Sequence, residues 1–350
     1  MLERLTTHLK QRLELDSTQI QEAIGDLADE AVATPAKADF LTALALKGET
    51  TDEIAGFALE LRKRAIEPPV DEATRARGIV DVVGTGGDRT GTFNISTTAA
   101  ILVASAGIPV AKHGNRAVTS QTGSADVLEA LGVPVSLAPA EAARMLRDHH
   151  FAFFLAPLYH PSFKNIGPAR RLCAERGQRT IFNFLGPLLN PARPFAQLVG
   201  VPRPELCEPI AVVLCKLGVL RAMVVCGLAG GLPDGPMHMD ELSTLSETTV
   251  AEFYHERGLC VSVLASASFP TQPVSLSDLA GGDRETNATH VRRILSGDER
   301  GPRRDAVLLN AGAALLVAGR AGSISEGWET AAELIDTGVA RAKLREISGR

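Results

Sequence analysis

The stretch 81–132, DVVGTGGDRTGTFNISTTAAILVASAGIPVAKHGNRAVTSQTGSADVLEALG, constrains the fold more than any other part of the chain. The apolar run 79–83 predicts a buried strand that empties into Gly84-Thr85-Gly86-Gly87-Asp88, where a backbone free of side chains turns sharply and can bring N–H groups up to an anion. Next comes Asn94-Ile95-Ser96-Thr97-Thr98, whose hydroxyls suit a helix N-cap, ahead of the small apolar residues 99–106. Helix N-termini attract anions, so this end adds to the same expectation. A second apolar run, 108–111, ends in Lys112-His113-Gly114-Asn115-Arg116, and a third turn, Thr119-Ser120-Gln121-Thr122-Gly123-Ser124, precedes the helical pattern 125–131. One GxGG alone is ordinarily just a turn. Three such loops in one short stretch predict a single polyanion site.

Strands alternating with helices continue downstream. The runs 151–156, 197–201 and 221–226 read as strands; 141–148 and 205–217 read as helices, with a loose glycine-rich loop from 227 to 237. A further strand is expected at 260–264, and helices at 287–295, 305–319 and 324–347. This alternation implies an α/β fold, a mostly parallel central sheet flanked by helices. Residues 1–66 instead carry only helical periodicity, with starts at Thr18-x-x-Gln21, Thr34-Pro35 and Thr50-x-x-Glu53. Pro68-Pro69 breaks that pattern. The expected division is a smaller all-helical domain, 1–70, joined by part of 163–192, and an α/β domain, 78–350, that binds the polyanion.

Bulk properties narrow the function. A chain of 350 residues, 45% hydrophobic and 22% charged, is globular rather than disordered or fibrous. Its formal charge of −5 argues against nucleic acid or a membrane surface as partner. Five scattered cysteines without a CxxC pair indicate neither a disulfide framework nor a zinc site, and fit the cytoplasm. The charged N-terminus lacks a signal-peptide core, and the apolar run 99–111 is too short to span a bilayer.

Ligands of parallel sheets bind beyond the strands' carboxyl ends, so the loops at 84–88 and 112–116, Tyr159-His160 and Asp240-Glu241 are expected to share one cleft. With GTGGD, NIST, KHGNRAV followed by TS, GSADVLEALG, RTIFNFLGPLLNPA and MDELS in this order, the sequence resembles the anthranilate phosphoribosyltransferase family, from the helical region to the C-terminus. The resemblance implies transfer of phosphoribosyl from phosphoribosyl pyrophosphate to anthranilate with magnesium, the second step of tryptophan synthesis from chorismate, by a homodimer.

It also implies residue roles. Gly84, Gly87, Asp88, Thr92, Asn94, Ile95, Ser96 and Thr97 would hold the sugar diphosphate, as would Lys112, His113, Gly114, Asn115, Arg116, Ala117, Val118, Thr119, Ser120 and Ser124. Lys112 would act catalytically by stabilising departing pyrophosphate. Gly84, Asn115 and Arg170 would contact anthranilate, the guanidinium gripping its carboxylate. Asp240 and Glu241 would hold Mg²⁺, and Ser96 a second ion. His113 and His160 are near enough to accept the amine proton, but an arylamine is already neutral at neutral pH.

Two segments depart from the family spacing: 171–178 is a few residues longer, and 229–238 is an enlarged loop. The rival readings are a pyrimidine nucleoside phosphorylase-like enzyme, which needs no acidic metal pair, and a non-catalytic nucleic-acid-binding relative, which wants a basic groove.

Overall fold

The computed structural model describes residues 1–117, 121–232, 235–255 and 257–349. The chain opens with helices Leu2–Lys10, Ser17–Ala28, Thr34–Lys47 and Thr51–Lys63. Thr50 and Glu53 form the expected capping box. The second helix begins ahead of its Thr18 signal, because the Asp16 carboxylate caps it and pairs reciprocally with Gln19. Ile24, Phe40 and Phe57 of this bundle share a buried core with Ile166, Ala169 and Cys173 of helix Phe163–Glu175, and that core continues through Leu188 onto Val83, Val199 and Val224 of the sheet. Polar ties reinforce the join: Asn165 Nδ2 donates to Ala28 O (2.7 Å) and Arg62 Nε to Leu188 O (2.6 Å). The linker is not wholly irregular, since Asp71 caps a short helix, Glu72–Ala76.

Among the described residues the sheet has eight strands: β1 Val80–Gly84, β2 Val110–Gly114, β3 Phe151–Leu155, β4 Ala196–Gly200, β5 Arg221–Leu232, β6 Gly235–Met239, β7 Glu247–Tyr254 and β8 Arg257–Ala265. Their order is β3-β2-β1-β4-β5-β7-β8, with β6 also paired to β5. The run from β3 to β5 is parallel, as expected, while β6, β7 and β8 attach antiparallel. The region expected to be a loose loop is therefore a hairpin, β5 running on to Leu232 and returning as β6. Strand β7 escaped the sequence reading because Thr248, Thr249 and Glu252 interrupt its apolar alternation.

The chain leaves β1 for β2 and β3 on one side, then returns to place β4 on the other. This reversal between β1 and β4 is the switch point where α/β sheets open a crevice. Helix Ile95–Ser105 is apolar all round because it lies in a core with helices Pro302–Val317, Ile324–Asp336 and Val339–Ile347 over one sheet face. The expected continuous helix 324–347 breaks at Gly338, whose φ of 80° ends one helix and starts the next. Among the described residues no helix is long and apolar enough to cross a membrane.

Candidate functional site

At the switch point Gly84 and Gly200 are register partners ending β1 and β4, and the segment after β6 packs against both. A Cβ at Gly84 would overlap the Asp240 carboxylate, and one at Gly200 would overlap the Asp240 backbone carbonyl. At Gly227 a Cβ would come within 2.6 Å of the Glu241 carbonyl. Two strand ends and the middle of β5 thus need glycine so that Asp240 and Glu241 can approach. Asn310, fully buried in helix Pro302–Val317, clamps the segment from behind: its Oδ1 accepts from Leu242 N–H (3.0 Å) and its Nδ2 donates to Leu242 O (3.1 Å).

Gly86 N–H donates to Asp240 Oδ2 (2.7 Å), and Asp240 N–H reaches Asp88 Oδ2 (3.4 Å). Ser96 N–H, in the first turn of its helix, donates to Glu241 Oε1 (3.0 Å). Burial first, then neighbouring carboxylates, pushes both Asp240 and Glu241 well above the usual carboxylate range. Lys112, 2% exposed, is the cation close enough to oppose this, and its Nζ donates to Val82 O (2.6 Å). Burial lowers its own pKa against the pull of Asp81, Glu241 and Asp240. Two adjacent carboxylates whose ionisation burial and mutual repulsion oppose are oxygen donors that a hard divalent cation would fit. Among the described residues no group of three or more His, Cys, Asp and Glu is placed to hold a metal ion by itself.

The other sequence candidates divide. Asn94 occupies the N-cap without a side-chain cap bond; its Oδ1 instead accepts from Asn287 Nδ2 (3.0 Å). Ser96 and Thr97 lie inside the first turn, not ahead of it, beside a fully buried Ile95. Thr92 is bridged to Ala280 and Gly87 turns at φ 82°. Lys112, His113 and Gly114 belong to β2 itself, where the sequence placed them beyond its end. Ser124 Oγ donates to Asn115 O (3.3 Å), and Ala117 N–H to Asp126 Oδ2 (2.9 Å). Arg116 is committed to Glu129, with both guanidinium nitrogens at 2.6 Å. Val118, Thr119 and Ser120 lie outside the described residues.

On the opposite face of β2 stands a different surface. His113 meets His160 edge-on (5.3 Å between centroids), His160 stacks on Phe163 (5.3 Å), Phe163 meets Phe182 (5.6 Å), and the Arg170 guanidinium sits 5.4 Å from the Phe182 ring. Burial lowers the pKa of Arg170, and no described carboxylate pairs with it, whereas Arg171 is exposed. Burial also pushes His113 down to about 3 and His160 to about 4, so both are neutral at pH 7, each with an unpartnered, buried Nε2. Beneath them Asp81, pushed up to about 6 by burial, accepts from Asn190 Nδ2 (2.8 Å), which also donates to Ala111 O (2.7 Å).

Gly200, Asn287 and Asn310, and the Asp81–Asn190 tie, escaped the sequence reading. Asn310 alone left a signal: an amide within the apolar run VLLNAGAALLV.

A sheet with its crevice at β1 and β4, a half-buried acidic pair and a glycine loop thus meet at one end of the parallel strands. Family models described as "Glycosyl transferase family, a/b domain" and "Glycosyl transferase family, helical bundle domain" match residues 76–341 and 3–65. The chain belongs to the anthranilate phosphoribosyltransferase family: the enzyme of that name from Symbiobacterium thermophilum is 47% identical over 344 residues, covering 96% of this chain and 95% of the relative. The Thermus thermophilus anthranilate phosphoribosyltransferase structure superposes with a TM-score of 0.87 at 38% identity, covering 99% of this chain and 98% of that one. The Saccharomyces cerevisiae enzyme in complex with PRPP and Mg gives 0.85 at 26% identity, covering 99% and 97%.

Proposed function

We propose that this protein transfers the phosphoribosyl group of phosphoribosyl pyrophosphate to the amine of anthranilate, releasing pyrophosphate. The observation that carries this reading is the division of labour across β2. Lys112 lies with the acidic pair on one side; His113 lies with an aromatic wall ending in Arg170 on the other. The wall offers a flat aromatic acid both ring contacts and a guanidinium for its carboxylate.

Gly84, Gly87, Asp88 and the first turn at Ser96 and Thr97 would receive the sugar diphosphate, with Lys112, Asn115 and Ser124 beside it. Asp240 and Glu241, with Ser96, would hold Mg²⁺, which when bound supplies positive charge to the diphosphate oxygens. Lys112 adds a fixed charge where the leaving group develops negative charge. The C1–oxygen bond to pyrophosphate breaks, the amine nitrogen bonds to C1, and that nitrogen then loses a proton. The neutral imidazoles of His113 and His160 can orient the ring, while the apolar wall excludes water. We further propose the division into a helical unit, 1–70 with part of 163–192, and an α/β unit, 78–350; a homodimer; and, from the free cysteines, a cytoplasmic setting.

Anthranilate is fluorescent, and loss of its signal on mixing with protein, phosphoribosyl pyrophosphate and Mg²⁺, with pyrophosphate appearing in step, is the expected result. Unchanged fluorescence with no pyrophosphate formed would exclude this activity. Light scattering reads the oligomer.

A further inference from the structure

Behind the glycine loop lies a second cavity of about 490 Å³, lined by Gly87, Asp88 and Arg89, by Arg179 and Arg203, and by the β6 residues Met237 and His238. Both segments that depart from the family spacing meet here: Arg179 follows the lengthened 171–178 segment, and His238 belongs to the enlarged hairpin. Three arginines converge on this cavity, and none of them donates a side-chain hydrogen bond or joins an ion pair with any described residue. Arg203 lies close enough to Glu49 for its charge to register there.

Among the described residues two carboxylates also line the cavity, against three arginines. That of Asp88 is engaged, accepting from Thr90 Oγ1 (2.6 Å) and from Asp240 N–H (3.4 Å); Glu205 is the second. His238 contributes a buried Nδ1 without a hydrogen-bond partner. Arg89 holds a left-handed backbone, φ 62°, between glycines that adopt such angles freely. That conformation is disfavoured for a residue with a side chain. The charge at Arg89 is thus built into the loop against a local penalty, and it lines this cavity.

We propose that this cavity is a second, metal-independent anion subsite that binds a diphosphate next to the reaction centre. The inference rests on the function proposed above. Its chemistry is common to the diphosphate arm of incoming phosphoribosyl pyrophosphate and to free pyrophosphate on its way out. Exposed guanidiniums with His238 would take oxygens that the acidic pair repels until metal is present, raising the local concentration of polyanion at the loop.

Inorganic pyrophosphate titrated calorimetrically into the full protein without Mg²⁺ tests this directly. Binding should weaken about tenfold in Arg89→Gln/Arg179→Gln/Arg203→Gln, and the wild-type affinity should fall with added salt. Circular dichroism and anthranilate fluorescence titration verify that the variant is folded. In turnover, a fall in kcat/KM for phosphoribosyl pyrophosphate at unchanged kcat assigns the subsite to the incoming substrate. A rise in the product-inhibition constant alone assigns it to departing pyrophosphate. Equal pyrophosphate affinity in wild type and variant overturns the subsite even if the enzyme is active, whereas an inactive wild type that still binds pyrophosphate would refute the activity and leave the subsite standing.

Discussion

Gly200 lies against the backbone of Asp240 so closely that a methyl group there would overlap the Asp240 carbonyl. The end of a strand in the parallel sheet is thereby the seat of a carboxylate from a distant hairpin. Gly200→Ala must displace the 240–242 segment, because the obstructing atoms are backbone and cannot rotate away. We expect turnover to fall about a hundredfold, from misplacement of the order of an ångström, with a raised Mg²⁺ requirement. A metal titration of activity at saturating substrate checks this; wild-type dependence would show that the segment relaxes at no functional cost.

The half-buried acidic pair opposes stability. Asp240 and Glu241 both have raised pKa values, so each contributes stability when protonated and loses it as pH rises through its folded pKa. Asp240→Asn with Glu241→Gln should therefore stabilise the metal-free protein at pH 8 by about 1–4 kcal/mol while abolishing transfer. Denaturant midpoints in EDTA measure it, and a less stable double variant would contradict the electrostatic account.

Arg170 faces an aromatic ring rather than a carboxylate. Arg170→Ala should raise the KM for anthranilate about thirtyfold, roughly 2 kcal/mol, with a smaller effect on the KM for phosphoribosyl pyrophosphate. Lysine should restore little, since a point charge cannot reproduce bidentate contact or stacking. Equal changes in both KM values would remove the acceptor role.

The two histidines make the fold acid-sensitive. His113 and His160 stay neutral to about 3 and 4 in the folded chain but protonate near 6.5 when unfolded. As pH falls from 6.5 to 4, each costs stability at about 1.4 kcal/mol per pH unit. Asp81, raised to about 6, gains stability as pH falls over part of this range and offsets about one histidine. His113→Asn should narrow its stability difference from wild type by about 1 kcal/mol per unit between pH 6.5 and 4.5. Parallel unfolding curves across that window would mean the imidazole is already charged.

The local features were legible in sequence because they are written locally. The Thr50–Glu53 box, the strand that runs into Gly84 and the helix that follows Asn94 each depend on neighbours a few residues away, and each appears where expected. What could not be read is what joins distant segments. Gly200 carries no motif; its necessity comes from Asp240, forty residues on, passing behind it. Asn287 and Asn310 are ordinary helix residues until the fold places a loop against each. Strand β7 was hidden by its polar edge, and β2 was cut short because Lys112 and His113 look like loop residues, though both are 4% exposed or less. Burying charge in a strand violates sequence rules, and it happened where the chemistry is concentrated.

Lys112 and His113 are consecutive, yet a strand sends consecutive side chains to opposite faces. One peptide bond therefore separates the residue nearest the acids from the residue nearest the aromatic wall, and the two surfaces share no side chain along β2. The acceptor surface can drift by substitution at 113, 160, 163 and 182 while the donor surface is left untouched, so new acceptors are accessible through single changes. A one-residue insertion anywhere in β2 would instead exchange the two surfaces at once. The strand makes the choice of nucleophile evolvable and its own length immutable.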